Sequence, residues 1–280
     1  MKHYSPLRYP GGKAKIINFM KAFIELNYND KPVYVEPYAG GASVALSLLI
    51  DGYAKKIYIN DNDYGIYCFW KSILEQTEDF IKYIEKTSVT IDNWYIQKNI
   101  YNNMPNYSIL DIGFATFFLN RCNYSGIIKG GPIGGKNQLG TWKINARFNK
   151  IQLIERISKI AEYKSFIKLY NEDTLLLLKK HSRYFEKCLL YLDPPYFNKG
   201  YQLYNNHYKK DDHAKIANIV RKLNGQWIVS YDNVPEIVNL YNFVDKPIEF
   251  SISYSAGKNK KGKEIMFISK QSVIPNCSVC

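Results

Sequence analysis

The sequence predicts an α/β fold: a doubly wound, largely parallel sheet that ends in an antiparallel hairpin and is interrupted by a mostly helical insertion. Three patterns predict it. Residues 31–60 read strand, glycine turn, helix, strand, which is how such a sheet opens. Strand signals then give way to helical periodicity between Asn62 and Lys164. Beyond that stretch strand patterns return, and the last two flank a turn rich in Lys and Gly.

Taken in order, Lys31 to Glu36 (KPVYVE) is a short β-rich run, and Pro37-Tyr38-Ala39-Gly40-Gly41-Ala42 follows as a turn. An apolar helical stretch spans Ser43 to Ile50, and a second strand, Lys56 to Asn60, ends on Asp61. Helical patterns at Ile66–Glu75, Phe80–Lys86 and Ile109–Leu119 fill the insertion. Within it, Gly126 to Asn145 is glycine-rich with β-forming residues at each end, the pattern of a long loop or a β-hairpin. Strands are then expected at Phe166–Tyr170, Leu189–Leu192, Trp227–Ser230, Ile248–Tyr254 and Ile265–Ser269, with Ala256–Lys263 as the final turn. The expected domains are 1–61 plus 165–272 for the sheet, 62–164 for the insertion with a hairpin at 126–145, and a flexible tail at 273–280.

At 280 residues the chain is long enough to bury a full-sized core. Lys and Arg number 38 against 25 Asp and Glu, a formal charge of +13. A positive field of that size attracts polyanions, so nucleic acid is the first partner to consider. The same composition, rich in Tyr, Asn, Lys and Ile, also fits solvated lysines encoded by an A+T-rich genome. No stretch approaches the roughly 18 apolar residues that span a membrane, so no membrane partner is expected. Met1 to Pro6 lacks the apolar core of a signal peptide. Cysteines at 68, 122, 188, 277 and 280 make no disulfide framework. Cys277 and Cys280 form a C-x-x-C with no second pair, which reads as a frayed tail before it reads as a zinc site. The expected location is the reduced cytoplasm. No metal cluster and no Ser/His/Asp nucleophile arrangement supports a hydrolase.

Asp193-Pro194-Pro195-Tyr196 follows the apolar run Cys188–Leu192, so it stands at the carboxyl end of a strand, where open α/β sheets bind ligands. Two prolines fix consecutive φ angles and remove two donors, leaving carbonyls as acceptors. A residue before proline is held extended, which orients Asp193. A rigid edge of acceptors followed by an aromatic ring suits an exocyclic amine such as adenine N6, whose lone pair is delocalised and poorly nucleophilic. Asp193 and the Pro194 carbonyl, accepting its two N–H bonds, favour a pyramidal nitrogen and stabilise developing positive charge, while Tyr196 stacks on the base. Read as structure alone, the four residues are a Pro-Pro turn closing a strand.

Glu36 to Ser43 (EPYAGGAS) places glycines after a first strand, where backbone can approach a nucleotide-like cofactor. Asp61, about 20 residues on, can bind both ribose hydroxyls. The glycine spacing lacks the G-x-G-x-x-G that cradles a pyrophosphate, which points to a cofactor without one, such as S-adenosyl-L-methionine. Near the N-terminus, Tyr9-Pro10-Gly11-Gly12-Lys13 is a tight basic turn. It is not a P-loop, because Ala14 stands where Ser or Thr would follow the lysine. Lys13 suits a carboxylate such as the methionine end of that cofactor, or is a solvated lysine in a turn.

These segments and their order resemble the Dam-type (D12 class) DNA adenine-N6 methyltransferases over nearly the whole chain. The resemblance implies a Rossmann-like class I methyltransferase sheet, a target-recognition domain at 62–164, S-adenosyl-L-methionine as cofactor and double-stranded DNA as partner, with the adenine flipped out. It implies cofactor contacts at Tyr9, Pro10, Gly11 and Lys13, Tyr9 standing where many members have Trp. Glu36, Pro37, Ala39, Gly40 and Gly41 would line the cofactor pocket, Asp61 would hold the ribose, and Asp173, within Asn171-Glu172-Asp173-Thr174, would face the cofactor's adenine. Asp193, Pro194, Pro195 and Tyr196 would be the catalytic edge, Asp193 bordering the cofactor as well.

Leu119-Asn120-Arg121 with Asn123-Tyr124-Ser125-Gly126 resembles the family's L-N-R-x-x-[FY]-[NS]-G segment. That makes Asn120, Arg121, Asn123 and Tyr124 candidates for DNA binding through phosphate or base contacts, with an ion pair bracing the insertion as the other reading of Arg121. The glycine-rich segment that follows departs from the shorter family version. Asp212-His213 and Ser230-Tyr231-Asp232 match further family segments: Asp211 or Asp212 is expected to cap a helix and His213 to pack, while the second segment lies near the target-base pocket. An orphan enzyme, or one with a cognate restriction endonuclease as partner, is implied, as a monomer or weak dimer.

A nicotinamide-dependent oxidoreductase would share the strand, glycine turn and ribose acid, but it lacks the pyrophosphate glycines and leaves the Asp193–Tyr196 edge unexplained. Amino-methyltransferases acting on RNA or on protein glutamine are nearer rivals; the glutamine-modifying relatives usually carry Asn where Asp193 stands. A DNA-binding module with a degenerate pocket is opposed by the intact Asp193, Asp61 and Lys13.

Overall fold

The computed structural model describes residues 3–8, 13–197, 208–254 and 260–279. The chain divides into two compact units, one of Gly11–Asn62 with Phe166–Cys280 and one of Met1–Pro10 with Asp63–Ser165. The first is built on seven strands: β1 (Val33–Glu36), β2 (Lys56–Asn60), β3 (Ile167–Tyr170), β4 (Leu189–Leu192), β5 (Gln226–Asp232), β6 (Ile248–Tyr254) and β7 (Lys260–Ile268). The described helices are α1 (Ile17–Asn27), α2 (Ser43–Ile50), α3 (Tyr64–Glu75), α4 (Thr77–Lys86) and α5 (Ile91–Asn102), then α6 (Ile109–Cys122), α7 (Lys150–Ala161), α8 (Thr174–Phe185), α9 (Lys210–Arg221) and α10 (Pro235–Leu240).

The strands lie in the order β3-β2-β1-β4-β5-β7-β6. β1 to β5 run parallel, and β7 inserts antiparallel between β5 and β6. The chain winds outward from β1 to β3 and then returns to β4, so its direction reverses between β1 and β4, where Tyr34 and Val35 pair with Leu189 and Leu190. A crevice opens at such a reversal, beyond the carboxyl ends of the strands. The run Leu189–Leu192 is buried throughout, as a parallel strand covered on both faces requires. On one face Leu190, Leu192, Trp227 and Val229 meet Leu177 and Leu178 of α8, Ile216 and Val220 of α9, and Ile237 of α10. Asp173 starts α8 by accepting the Leu176 N–H at 3.2 Å.

The second unit is helical. Its centre is α6, opened by a capping box of Ser108 and Asp111. Phe114 and Phe117 of α6 pack with Phe69 and Phe80 at centroid distances of 5.5–5.8 Å. Helices α5 and α7 were not marked by the sequence; α5 buries Trp94, Gln97 and Tyr101, too few apolar residues to stand out as a stripe. No helix among the described residues is long and apolar enough to cross a membrane.

The structure moves several expected boundaries. Residues 3–8 group with the helical unit, because Asn120 bonds the Arg8 N–H and carbonyl, both at 2.7 Å, and Arg156 donates to the Ser5 carbonyl. The hairpin expected at 126–145 is not formed. Gly126, Gly134 and Gly135 take positive φ and fold the segment into successive turns, with a single antiparallel bridge from Asn123 to Pro132. β7 begins at Lys260, within the stretch expected to be turn, while 255–259 lie outside the described residues. The expected flexible tail is fastened: the Asn27 side chain donates to the Val273 carbonyl and accepts its N–H, and Val279 is buried. Cys280 lies outside the described residues.

A Cβ at Gly113 of α6 would meet the Cys68 carbonyl oxygen of α3 at 2.6 Å. Gly113→Ala should therefore cost about 1–3 kcal/mol of stability, read as a lower denaturant midpoint. Gly131→Ala, with nothing within 4 Å of the new methyl, should leave the midpoint unchanged.

Candidate active site

Each parallel strand of the sheet unit delivers an acid at or just past its carboxyl end: Glu36 on β1, Asp61 after β2, Asp173 after β3, Asp193 after β4 and Asp232 on β5. The turn after β1 is set by backbone and side-chain bonds together. Ala39 N–H donates to the Asn60 carbonyl at 2.9 Å and Gly40 N–H to the Asp61 carboxylate at 2.8 Å. Gly40 has φ of 48° and Ala42 of 46°, conformations that let the chain reverse tightly into α2. Glu36 is buried with its carboxylate on the Ala45 N–H, in the first turn of α2. Burial raises its pKa well above the carboxylate range, against the pull of that N–H. The sequence-expected cofactor residues Pro37, Ala39, Gly40, Gly41 and Asp61 thus meet in one turn; Tyr9, Pro10 and Gly11 lie outside the described residues.

Asn60, which the sequence did not single out, holds this end of the sheet together. Its amide donates to the Pro37 and Glu172 carbonyls at 2.9 and 3.0 Å, and its oxygen accepts the Glu172 N–H at 2.9 Å. One side chain at the end of β2 thereby ties the loops after β1 and β3. A lone Asn ending a strand carries no sequence signal of that role.

Across the switch point, Asp193 follows β4 with its carboxylate fixed from two sides. Ser230 Oγ of β5 donates to Oδ1 at 2.8 Å, and Lys13 Nζ stands 3.1 Å from the same oxygen. Lys13 also contacts Glu264 Oε2 at 2.5 Å, and Tyr196 donates its hydroxyl to Glu264 Oε1 at 2.5 Å. Burial pushes the Asp193 carboxyl up to about 6; Lys13 and Ser230 hold it down, and Glu264 adds to the rise. For Lys13, burial acts to lower the pKa, but Asp193 and Glu264 outweigh it and leave the ammonium above the usual lysine range.

Two of the expected residues have partners here that the sequence did not indicate. Lys13, read as a partner for the cofactor's carboxylate, spends its charge on Asp193 and Glu264, because two acids this close and this buried require a counter-ion. Tyr196, read as a stacking ring, is buried with its hydroxyl anchored, and Lys13 lies 5.3 Å from its ring centroid. Glu264 was missed: set among lysines in KKGKEIMFI, it looks like a solvated charge, yet it is 0 % exposed. Ser230-Tyr231-Asp232 does reach the site. Besides Ser230 on Asp193, Tyr231 bonds the buried His213 at 3.0 Å and Asp232 accepts the Phe197 N–H at 2.9 Å. Asp212 accepts the Lys209 N–H at the start of α9.

In the helical unit, the candidate DNA contacts turn inward. Asn120 is consumed by Arg8 and the Gly126 carbonyl. Asn123 accepts from Trp94 Nε1 at 2.7 Å and donates to the Ile127 and Ile128 carbonyls. Arg121 donates to the Arg147 and Pro6 carbonyls. These three brace the unit: the buried amides of Asn120 and Asn123 must find partners, and the half-buried Arg121 finds its own in two carbonyls. Tyr124 alone of the four is exposed.

Parallel strands wound both ways from β1 and β4, with an antiparallel β7 slipped between β5 and β6, define a class I methyltransferase sheet. The model of the D12 class N6 adenine-specific DNA methyltransferases matches residues 9–258. The chain belongs to that family. It is 24% identical to the modification methylase StsI of Streptococcus sanguinis over 253 residues, 83% of this chain but 35% of that protein. It is also 24% identical to the type II methyltransferase M.MjaIII of Methanocaldococcus jannaschii over 238 residues, 78% of this chain and 79% of that one. A solved structure from Pyrococcus horikoshii, assigned as an RNA methyltransferase, covers 94% of this chain and 84% of its own at 10% identity. The two superpose with a TM-score of 0.43.

Removing one partner from the buried cluster should expose its electrostatics. Lys13→Met leaves two acids without their counter-ion and should cost about 3–5 kcal/mol in denaturant unfolding. Glu264→Gln removes a like charge, so the Asp193 carboxyl should titrate below about 6, followed by carboxyl-carbon NMR. An unmoved Asp193 titration would show that Glu264 does not act on it.

Proposed function

We propose that this chain transfers a methyl group from S-adenosyl-L-methionine to adenine N6 in double-stranded DNA. The observation that carries the reading is Asp193: a carboxylate raised by burial, aimed by Ser230 and by the proline after it, at the carboxyl end of β4 beside the switch point. Family membership supports the same substrate.

The residues present fit the cofactor. Asp61, partly exposed after β2 and held by the Gly40 N–H, suits a ribose diol. Asp173 and the Pro37–Gly41 turn offer the adjoining polar groups, and the glycine spacing provides no pyrophosphate cradle. When bound, S-adenosyl-L-methionine supplies an electrophilic methyl group on a sulfonium.

The target adenine leaves the duplex at a cost of a few kcal/mol. Asp193 and the Pro194 carbonyl accept the two N–H bonds of N6, freeing its lone pair from the ring. Transfer from the bound sulfonium would form the N6–carbon bond as the carbon–sulfur bond breaks, its electron pair staying on sulfur as a neutral thioether; the Asp193 carboxylate would stabilise the positive charge on nitrogen until N6 releases one proton. Lys13 and Glu264 act through Asp193 and Tyr196 as positioning residues. The two relatives, a modification methylase and a type II methyltransferase, support a place in restriction-modification, with a cognate endonuclease as partner, acting on DNA in the cytoplasm.

Asp193→Ala should reduce methylation by about 10²–10³-fold or more while cofactor affinity stays within a few-fold. Near-normal turnover in radiolabelled-methyl transfer would sink the mechanism. Asp61→Ala should weaken S-adenosyl-L-methionine binding by about 10–100-fold in calorimetry; unchanged affinity would remove the ribose role. With the wild-type enzyme, kcat/KM should fall as pH drops through about 6, because protonated Asp193 is no longer a charged acceptor.

A further inference from the structure

The loop that replaces the expected hairpin is built to hold two apolar side chains in water. Ile133, Ile144 and Phe148 are buried and anchor it. Between those anchors Leu139 is 86 % exposed and Trp142 is 70 % exposed. Among the described residues, which include all four tryptophans, Trp70, Trp94 and Trp227 are only 0 %, 4 % and 4 % exposed.

The display is braced. Gln138 donates to the Ile133 and Gly135 carbonyls and accepts the Ile144 N–H at 2.8 Å, while Gly140 N–H donates to the Gly134 carbonyl at 3.1 Å. A Cβ at Gly134 would meet the Trp142 carbonyl oxygen at 2.6 Å, so the turn closes as tightly as glycine allows. Lys143 Nζ bonds the Gln138 carbonyl at 2.7 Å and belongs to the same brace.

The surrounding charge has one sign. From Ile112 to Ile154 the sequence has no Asp or Glu, but it has Arg121, Lys129, Lys136, Lys143, Arg147 and Lys150. Of these Lys129, Lys136, Lys143 and Arg147 are exposed, Lys143 being held to the Gln138 carbonyl. The charge by itself would suit any polyanion. An exposed indole selects one that also offers flat aromatic faces, which bases do.

From this we infer that residues 126–147 form a DNA-insertion element: Trp142 and Leu139 enter a base step of the duplex as an apolar wedge, and Lys129, Lys136 and Arg147 bind the flanking phosphates. The inference rests on the DNA-methylating reading above. Apolar wedges inserted between base pairs partly unstack the step and kink the duplex. Wedge and lysines act through different physics, so salt separates them: phosphate contacts release counterions and stacking does not.

The test uses the full chain and a random-sequence duplex at low salt, where binding needs no known target site. Binding is read by anisotropy of dye-labelled duplex, and Trp142 by acrylamide quenching with unlabelled duplex. Saturating duplex should cut the quenching severalfold. Trp142→Ala should weaken binding by about 5–100-fold without changing the slope of log affinity against log salt, and Trp142→Phe should restore most of it. Lys129→Ala and Lys136→Ala should each lower that slope by about 0.9. If the duplex binds but leaves Trp142 equally quenchable, or if Trp142→Ala binds normally, the wedge is overturned while the DNA reading stands. If no duplex binds at any salt, both fall. Shielding that appears without DNA and grows with protein concentration would give the loop to a second copy of the chain and overturn the wedge.

Discussion

One ammonium group between two carboxylates sets the terms for the catalytic end of the sheet unit. Lys13 reaches Asp193 after β4 and Glu264 within β7, and Tyr196 completes the cluster through Glu264. Three distant stretches of sequence meet there, and none is stable alone in that position. Two acids side by side repel each other, and burial and Glu264 both push the Asp193 carboxyl up. With the lysine between them, Asp193 keeps a pKa near 6, ionised at neutral pH yet poorly solvated. In the proposed reaction that combination would serve an amine that is becoming positive.

The same electrostatic economy runs along the strand ends. Five acids stand at the carboxyl ends of five parallel strands, and each has a different fate. Glu36 is turned under the start of α2, Asp61 is held by a glycine N–H, and Asp173 starts α8. Asp232 holds the backbone just past Tyr196, and Asp193 sits on Ser230 and Lys13. Asn60, uncharged, fixes the loops that carry them by three hydrogen bonds. Rigid loops matter because placement of reacting groups supplies much of a transfer enzyme's advantage.

The helical unit obeys another constraint. Its core is aromatic, and the segment that resembles the family's recognition motif does internal work: Asn120, Arg121 and Asn123 satisfy backbone groups of Arg8, Gly126, Ile127 and Arg147. That scaffolding lets the glycine-rich loop hold Leu139 and Trp142 in solvent while its flanks stay buried. Motif residues can thus be essential to a surface without being on it.

The sheet, its glycine turn and the Asp193–Tyr196 edge were legible in the sequence because they depend on local rules. Alternating or continuous apolar runs mark strands, prolines fix φ, and an acid before proline is oriented whatever its surroundings. The segments from Ser43 to Ile50 and from Lys56 to Asn60 fall where those rules put them. Partnership was not legible. Nothing local distinguishes Glu264 from a solvated strand glutamate, Lys13 from a turn lysine, or Asn123 from a DNA-reading amide. Their roles follow from which atoms lie within about 3 Å after folding, and from the cost of leaving any of them unpaired in a low dielectric. The sequence by itself determined the chemistry available at the strand ends; the tertiary structure decided which charges meet, because burial turns proximity into obligation.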